Sequence, residues 1–380
     1  MRRRFWIVAM IAGAALVAGS PIAFAVQADS TDLPIAQCEL RAPAGRDVSV
    51  GVNRPEGRLK PLGTVSVTFL LVDFPDAPAT AAARAQAKAT ISGVRSFASA
   101  QSYGRLAIAL LIVDQWLRMP KAAAAYSAAD DGSYTAHKAY LQDAIDAAPS
   151  SAGISTSDVV VVLASYEIGG LAGGAAFLQL PGGGIDTNGA EVLHAVSVGT
   201  IKDGSDVGVL GHEFLHTLGL ADLYNSNPSA GEPYRFTGPF DLMADVSAAS
   251  PSVTAWEKWV LGWLDDSQVR CVGPGTTTVA LTPVERMGGT KAVIAPIGGG
   301  RAVVVESRAA VGVDANGPAG VIVYLVDPGR ESGHGPIRLA RARGLVMTPL
   351  AAGQSISLHG VHVTVNSGGQ VSVRVPRRPA

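Results

Sequence analysis

The sequence predicts a mixed α/β (α+β) domain followed by an all-β, sandwich-like C-terminal domain. Three observations predict it. Between about residues 63 and 265, apolar runs of strand length alternate with longer Ala-rich or amphipathic stretches of helix length, the order of a layered α/β domain. From residue 266 the texture changes to short β-rich runs separated by turn residues at close spacing. The chain has 380 residues, 48% hydrophobic and only 16% charged, which leaves room for two cores and little for disorder.

Residues 1–28 read as an export signal. Arg2, Arg3 and Arg4 form a positive start, Phe5 to Val17 is apolar, and Ala23-Phe24-Ala25 is an A-x-A cleavage site, with Val26-Gln27-Ala28 as a second candidate. This predicts a secreted, extracellular protein without a stable membrane span after signal removal. An uncleaved membrane anchor is the competing reading, which Gly13, Gly19, Ser20 and Pro21 weaken. Residues 29–62 form an N-terminal segment and a candidate short pro-segment. The net charge is -1, and no basic stretch carries interleaved aromatics, so nucleic acid is not an expected partner.

Within 63–265, Val65 to Asp73 is apolar enough for a central strand, and Ala79 to Ser99 is helix-like after Pro78. Leu106 to Trp116 reads as a strand, Tyr134 to Ala148 as a helix and Asp158 to Leu163 as a second buried strand. The Gly-rich stretch from Gly169 to Gly184, with Phe177 to Leu180 inside it, is either a plain loop or an edge strand to which a peptide adds. Trp256, Trp259 and Trp263 recur at helical spacing and read as core. In 266–380 the strand runs are Thr276–Leu281, Lys291–Pro296, Ala302–Ser307, Gly320–Val326, Gln354–Leu358, Val361–Val365 and Val371–Val375. The two cysteines, Cys38 and Cys271, predict one disulfide in an exported protein. A sharper alternative makes Cys38 a thiolate that blocks a metal in a latent form.

The chemistry concentrates in His212 to Tyr224, H-E-F-L-H-T-L-G-L-A-D-L-Y. On a helix, His212 and His216 project from one face one turn apart, so two neutral imidazoles can grip one ion. Glu213, beside the first ligand, is placed to take a proton from a water and return it to a leaving amine. Gly219 allows the helix to stop and the chain to turn back, bringing Asp222 up as a third ligand. Three protein ligands with one open position is the pattern of a catalytic zinc site, whereas a structural site is closed by four. Asp241 and Glu257 are rival third ligands. Ser205 or Asp206 can cap the helix, and Gly208 and Gly211 predict close approach of another backbone.

This stretch resembles the extended zinc motif of the metzincin metallopeptidases, in the variant with Asp as third ligand. The chain is more narrowly similar to the immune-inhibitor-A-like (M6-type) secreted metallopeptidases, through Leu71-Val72-Asp73-Phe74-Pro75-Asp76, Ser102-Tyr103-Gly104-Arg105-Leu106, Phe240-Asp241-Leu242-Met243 and Ser252 to Trp263. The resemblance covers about Gly63 to Leu264. It implies a metzincin-like fold, Met243 as the Met-turn residue under the metal, and endo-cleavage of protein or peptide substrates. Leu223 departs from the family pattern, where several relatives carry an acid.

The function expected from these readings is a zinc-dependent endopeptidase. Its rivals are a non-catalytic zinc-containing binding or adhesion module and a structural zinc protein. Tyr224 and Tyr234 are candidate oxyanion stabilisers, against a packing role. His194 and His334 read as structural or solvated. Asp314-Ala315-Asn316-Gly317 is a candidate Ca2+ loop set against a plain turn.

Overall fold

In the computed structural model, described residues are 31–129, 133–165, 174–187, 189–200, 206–341 and 347–377, and 31–380 form one unit by their internal contacts. The export-signal reading and Ser205 lie outside the described residues. Among the described residues no helix is long and apolar enough to cross a membrane.

The first sheet is built from β1 (Gly63–Asp73), β2 (Leu106–Arg118), β3 (Val159–Ala164), β4 (Ala175–Leu178) and β7 (His194–Val198), in the order β2-β1-β3-β7-β4. β5 (Ile185–Asp186) and β6 (Glu191–Val192) make a separate small ribbon. β1, β2, β3 and β7 run parallel, and only β4 is antiparallel, paired to β7 at one edge. Helices α1 (Ala81–Gln101), α2 (Ala123–Ala129) and α3 (Tyr134–Asp146) supply the crossovers that parallel pairing demands. α4 (Val207–Thr217) follows β7.

Alternation along the strands sends Val65, Val67, Phe69 and Leu71 of β1 into one core with Ile91 and Val94 of α1 and Leu210 and Phe214 of α4. Leu70 and Val72 point the other way, onto Tyr140, Leu141 and Ile145 of α3. Both faces are covered, which is why β3 reads as an unbroken apolar run and β1 as a largely apolar one. β7 was not anticipated from the sequence. Its His194 and Ser197 interrupt the apolar run, yet both are buried.

The C-terminal part forms two further sheets. One orders β13-β12-β11-β10-β8, using β8 (Val269–Cys271), β10 (Ala292–Gly298), β11 (Arg301–Arg308), β12 (Gly320–Val326) and β13 (Ile337–Leu339). The other orders β14-β15-β16-β9, using β9 (Gly275–Ala280), β14 (Ser355–Leu358), β15 (Val361–Val365) and β16 (Gln370–Val375). The two share a Val-rich core, with Val293, Val303 and Val323 from the first and Val363, Val371 and Val373 from the second. The alternate residues of the first sheet, Ile294, Val304, Ile322 and Tyr324, join the α/β core instead. They meet the buried Trp256 of α5 (Ala255–Val260), whose start carries a capping box of Thr254 and Glu257. The tryptophans are core residues, as their spacing suggested.

Residues 31–62 are woven into both parts. Cys38 is disulfide-bonded to Cys271, so its sulfur is not free to reach the His–Asp cluster. Leu33 N–H bonds the Cys271 carbonyl at 2.8 Å, and the Trp256 indole donates to the Val50 carbonyl at 2.7 Å.

Candidate metal centre

α4 presents His212, Glu213 and His216 because of how it begins and ends. Asp206 occupies its N-cap position but makes no side-chain capping bond. Gly208 lets the helix start run close to another strand of chain: a Cβ there would lie 1.9 Å from the Val246 carbonyl oxygen. Gly211 faces side chains instead, those of Leu242 and Phe97.

At the C-terminus, Gly219 has φ +97. Its N–H bonds the His216 carbonyl at 2.8 Å, and Leu220 N–H bonds the Leu215 carbonyl at 3.3 Å, the two bonds of a Schellman motif. The carbonyls beyond are also taken. Leu59 N–H bonds Thr217 and Ser49 N–H bonds Gly219, each at 2.9 Å, while the Arg54 guanidinium bonds Leu218 at 3.1 Å. The N-terminal segment thus closes the helix end and fixes the turn that carries the chain to Asp222.

That turn brings the predicted ligand set together. His212 Nε2 lies 3.1 Å from Asp222 Oδ1, His216 Nε2 lies 3.1 Å from the same oxygen, and the two Nε2 atoms are 3.1 Å apart. Bonds of about 2.0–2.1 Å at tetrahedral angles set three ligand atoms about 3.3 Å apart, so this triangle fits a zinc-sized ion. Each imidazole has its other nitrogen on a backbone carbonyl, His212 Nδ1 on Leu242 at 3.0 Å and His216 Nδ1 on Leu220 at 2.8 Å. A donating Nδ1–H leaves Nε2 with its lone pair toward the cluster, the tautomer that a metal ligand needs. Ser332 does the same for the acid. Its hydroxyl accepts from Asp222 N–H at 2.8 Å and donates to Oδ2 at 2.7 Å, leaving Oδ1 to face the histidines. Ser332 comes from the turn between β12 and β13, and nothing in its local sequence marked it.

The electrostatics describe a place for positive charge. Burial favours neutral Asp222, but His216 and His212 outweigh it and hold the carboxyl far below its usual range. Burial likewise lowers His216, yet the Asp222 carboxylate lifts it to about 9. Glu213 is pushed up, mainly by burial, against the pull of His216 and His212. Its Cγ and Oε1 stand against Gly174, where a Cβ would come within 3.1 Å and 3.3 Å of them.

The other predicted residues distribute as follows. Met243 is fully buried, and its carbonyl accepts from Leu223 N–H at 2.8 Å. Leu223 is equally buried. Tyr224 stacks on His212 with ring centroids 6.2 Å apart, and burial, then Asp222 and Glu213, push its phenol up to about 12. Tyr234 is half exposed at the rim. Asp241 and Glu257 are not in the cluster. Asp241 is buried on the N–H groups of Met243 and Thr254 at 2.8 Å and 2.9 Å, and Glu257 belongs to the α5 capping box. His194 sits in β7 opposite Leu178, its pKa lowered to about 4 by burial and then by Arg58. His334 is exposed, with Nδ1 on the Ser332 carbonyl at 2.9 Å. Asp314 is buried, and its carboxylate takes Ser252 N–H at 2.9 Å and Arg308 at 3.2 Å.

The cluster opens into a cleft of about 310 Å³ lined by Asp47, Val48, residues of β4, Glu213 and Tyr224. A second lobe of about 290 Å³ runs past Tyr224 to Pro233, Tyr234 and Val246. Among the described residues β4 is the outermost strand of its sheet and lines this cleft, as the edge-strand reading of the Gly-rich stretch expects. A scan against models of known protein families finds no match, and no curated protein matches the chain.

Proposed function

We propose that this protein is a secreted zinc-dependent endopeptidase of the metzincin type, similar to the immune-inhibitor-A-like peptidases. The observation that carries the reading is the triangle of His212, His216 and Asp222 atoms, all 3.1 Å apart, with the buried Glu213 carboxylate lining the same cleft. These three residues would hold the ion. When bound, a zinc ion supplies Lewis acidity, polarising a carbonyl and lowering the pKa of water toward neutrality.

The chain's own residues account for the rest. β4, the outer strand on the cleft side, offers main-chain hydrogen bonds to an extended peptide, which lays it across the cleft. Glu213 takes the proton of the attacking water and returns it to the departing amine. Its raised pKa suits it to hold that proton between the two events. Of the two tyrosines, Tyr224 is the one stacked on His212, and it takes the role of steadying the oxygen of the reacting carbonyl. Tyr234 at the rim fits substrate contact better.

The test is casein cleavage by the processed protein beside Glu213→Gln, with zinc per chain measured on both. We expect about one zinc in each and a loss of at least roughly 10²–10⁴-fold in rate for the variant. Chelation abolishes the parent's activity and added zinc restores it. Parent protein that holds zinc, has lost its N-terminal signal and still cuts no protein would point to the binding-module reading instead.

A further inference from the structure

Resting on the peptidase reading, the charge of the C-terminal sheets says which substrates reach the cleft. The chain as a whole is nearly balanced, with a net charge of -1. One end of the first C-terminal sheet is not. Val303, Leu325 and Arg338 lie in register across β11, β12 and β13. Strand alternation places Arg301 and Asp327, each two residues further along, on that same face. Arg330 joins them from the turn between β12 and β13. Arg330 and Arg338 share the single carboxylate of Asp327, at 3.5 Å and 3.4 Å. Arg301 forms no salt bridge among the described residues. The crowding is felt at Arg338, whose pKa is lowered by burial and then by Arg330, with Asp327 opposing and Arg301 adding to the fall.

Two more arginines carry this surface to the cleft. Leu339 N–H bonds the Phe236 carbonyl at 2.8 Å, and the Arg341 guanidinium bonds the Arg235 carbonyl. Arg235 and Arg341 are exposed, and neither forms a salt bridge among the described residues. Arg235 directly follows Tyr234, which lines the second lobe. Gly333, in the turn that carries Arg330, donates its N–H to the Asp222 carbonyl at 3.0 Å. The basic surface therefore runs into the wall of the cleft. Of the acids beside it, Glu331 is taken by Arg46 at 3.2 Å, and Glu232 forms no salt bridge. Five guanidiniums thus stand against two carboxylates, Asp327 and Glu232. Planar guanidiniums with donors to spare suit carboxylates as partners. We propose that this surface docks an acidic stretch of a protein substrate and holds it beside the cleft, so that the C-terminal sheets select what the metal centre cuts.

The experiment uses a set of peptides with one cleavable core, joined through a flexible linker at either end to a run of Glu, a run of Lys or nothing. At one end the Glu tail should raise kcat/KM over the untailed core, chiefly through KM, and the gain should fade at high salt. Two exposed ion pairs are worth roughly two- to fivefold each, so Arg235→Glu/Arg341→Glu should lower the tailed-to-untailed ratio by about four- to twenty-fivefold. Arg235→Lys/Arg341→Lys keeps the charge and should retain most of the ratio. A fluorescein-labelled Glu run without the core, titrated onto zinc-loaded Glu213→Gln, reads docking without turnover. Equal gains from Glu and Lys tails, or a Glu gain that survives the double reversal, would overturn the inference and leave the peptidase reading standing. A Glu run that does not bind where phosphatidylserine vesicles or a sulfated polysaccharide do would also overturn it, by giving the surface another partner. Saturable binding of the Glu run, lost in the double reversal, with no peptide cut by the parent would uphold the surface and sink the peptidase reading.

Discussion

Two clusters of polar side chains, each built around buried carboxylates, end in opposite conditions. One is the His212–His216–Asp222 triangle. The other lies where the α/β core meets the C-terminal sheets, around Arg308. There the guanidinium reaches Glu306 at 2.7 Å, Asp314 at 3.2 Å and the carbonyls of Ser252 and Phe240 at 2.8 Å and 3.0 Å. Glu306 also accepts from the Tyr324 hydroxyl at 2.6 Å and Ala255 N–H at 2.7 Å. That cluster supplies its own cation. In the triangle, two backbone carbonyls and the Ser332 hydroxyl hold the far sides of the ligands, and the two Nε2 atoms and Asp222 Oδ1 are turned toward one another with no cation of the protein between them. The lesson is that buried carboxylates do not mark a site. A site is marked by acceptors whose missing partner must come from outside.

Breaking the closed cluster should have the largest effect on stability. Arg308→Met leaves Glu306 and Asp314 buried without their partner, and removing one member of a buried pair costs about 3–5 kcal/mol. Urea midpoints measure it. The variant that remains folded at low temperature should still bind zinc, because Arg308 touches no ligand. A cost below about 1 kcal/mol would mean that water reaches those carboxylates and the cluster is not closed as described.

The open cluster breaks differently. Ser332→Ala removes the hydroxyl that orients Asp222 while leaving all three ligands in place. Loss of such an outer partner typically costs 10–100-fold in metal affinity. Competition with a chelator of known affinity reads it, and the urea midpoint should move by only about 1 kcal/mol, the worth of a hydrogen bond. Unchanged zinc affinity would show that the Ser332 contact is packing alone.

The same contrast explains what the sequence made legible. The ligand triangle was readable because its members lie within eleven residues and local rules govern them: two His on one helical face, then a glycine that ends the helix. Most strands of both sheet systems were readable from period and apolarity, though not β7, β8 or β13, and the disulfide from an even pair of cysteines. Long-range partners were not. Ser332 acts across a separation of 110 residues, and no local pattern points to it. Glu306 and Arg308 alternate along β11 as a solvent-facing pair would, but the face they occupy is covered by α5. Asp241 competed with Asp222 for the third ligand position until the fold put it on the buried side of the Met243 turn.

Asp241 supplies the sharpest distinction between the clusters. It is fully buried beside Glu257, and burial first, then the Glu257 charge, raise its pKa well above the usual carboxylate range. Glu257 is raised too, mainly by burial. The folded protein therefore keeps a proton on this pair at pH values where the unfolded chain has lost it. Stability from that proton is fully present below the unfolded pKa near 4 and is lost as pH rises through the folded one. The limit for a single proton is about 1.4 kcal/mol per pH unit. The buried Lys258, whose pKa burial and then Arg308 lower to about 7, opposes this change only as the pH nears 7, and it does so equally in parent and variant. Asp241→Asn keeps a neutral group of the same shape and removes the titration. Urea midpoints of the parent, followed from pH 4 to 7, should fall relative to those of the variant. Parallel curves would mean that the pair is ionised in the fold, and the closed cluster would then hold more charge than Arg308 alone can neutralise.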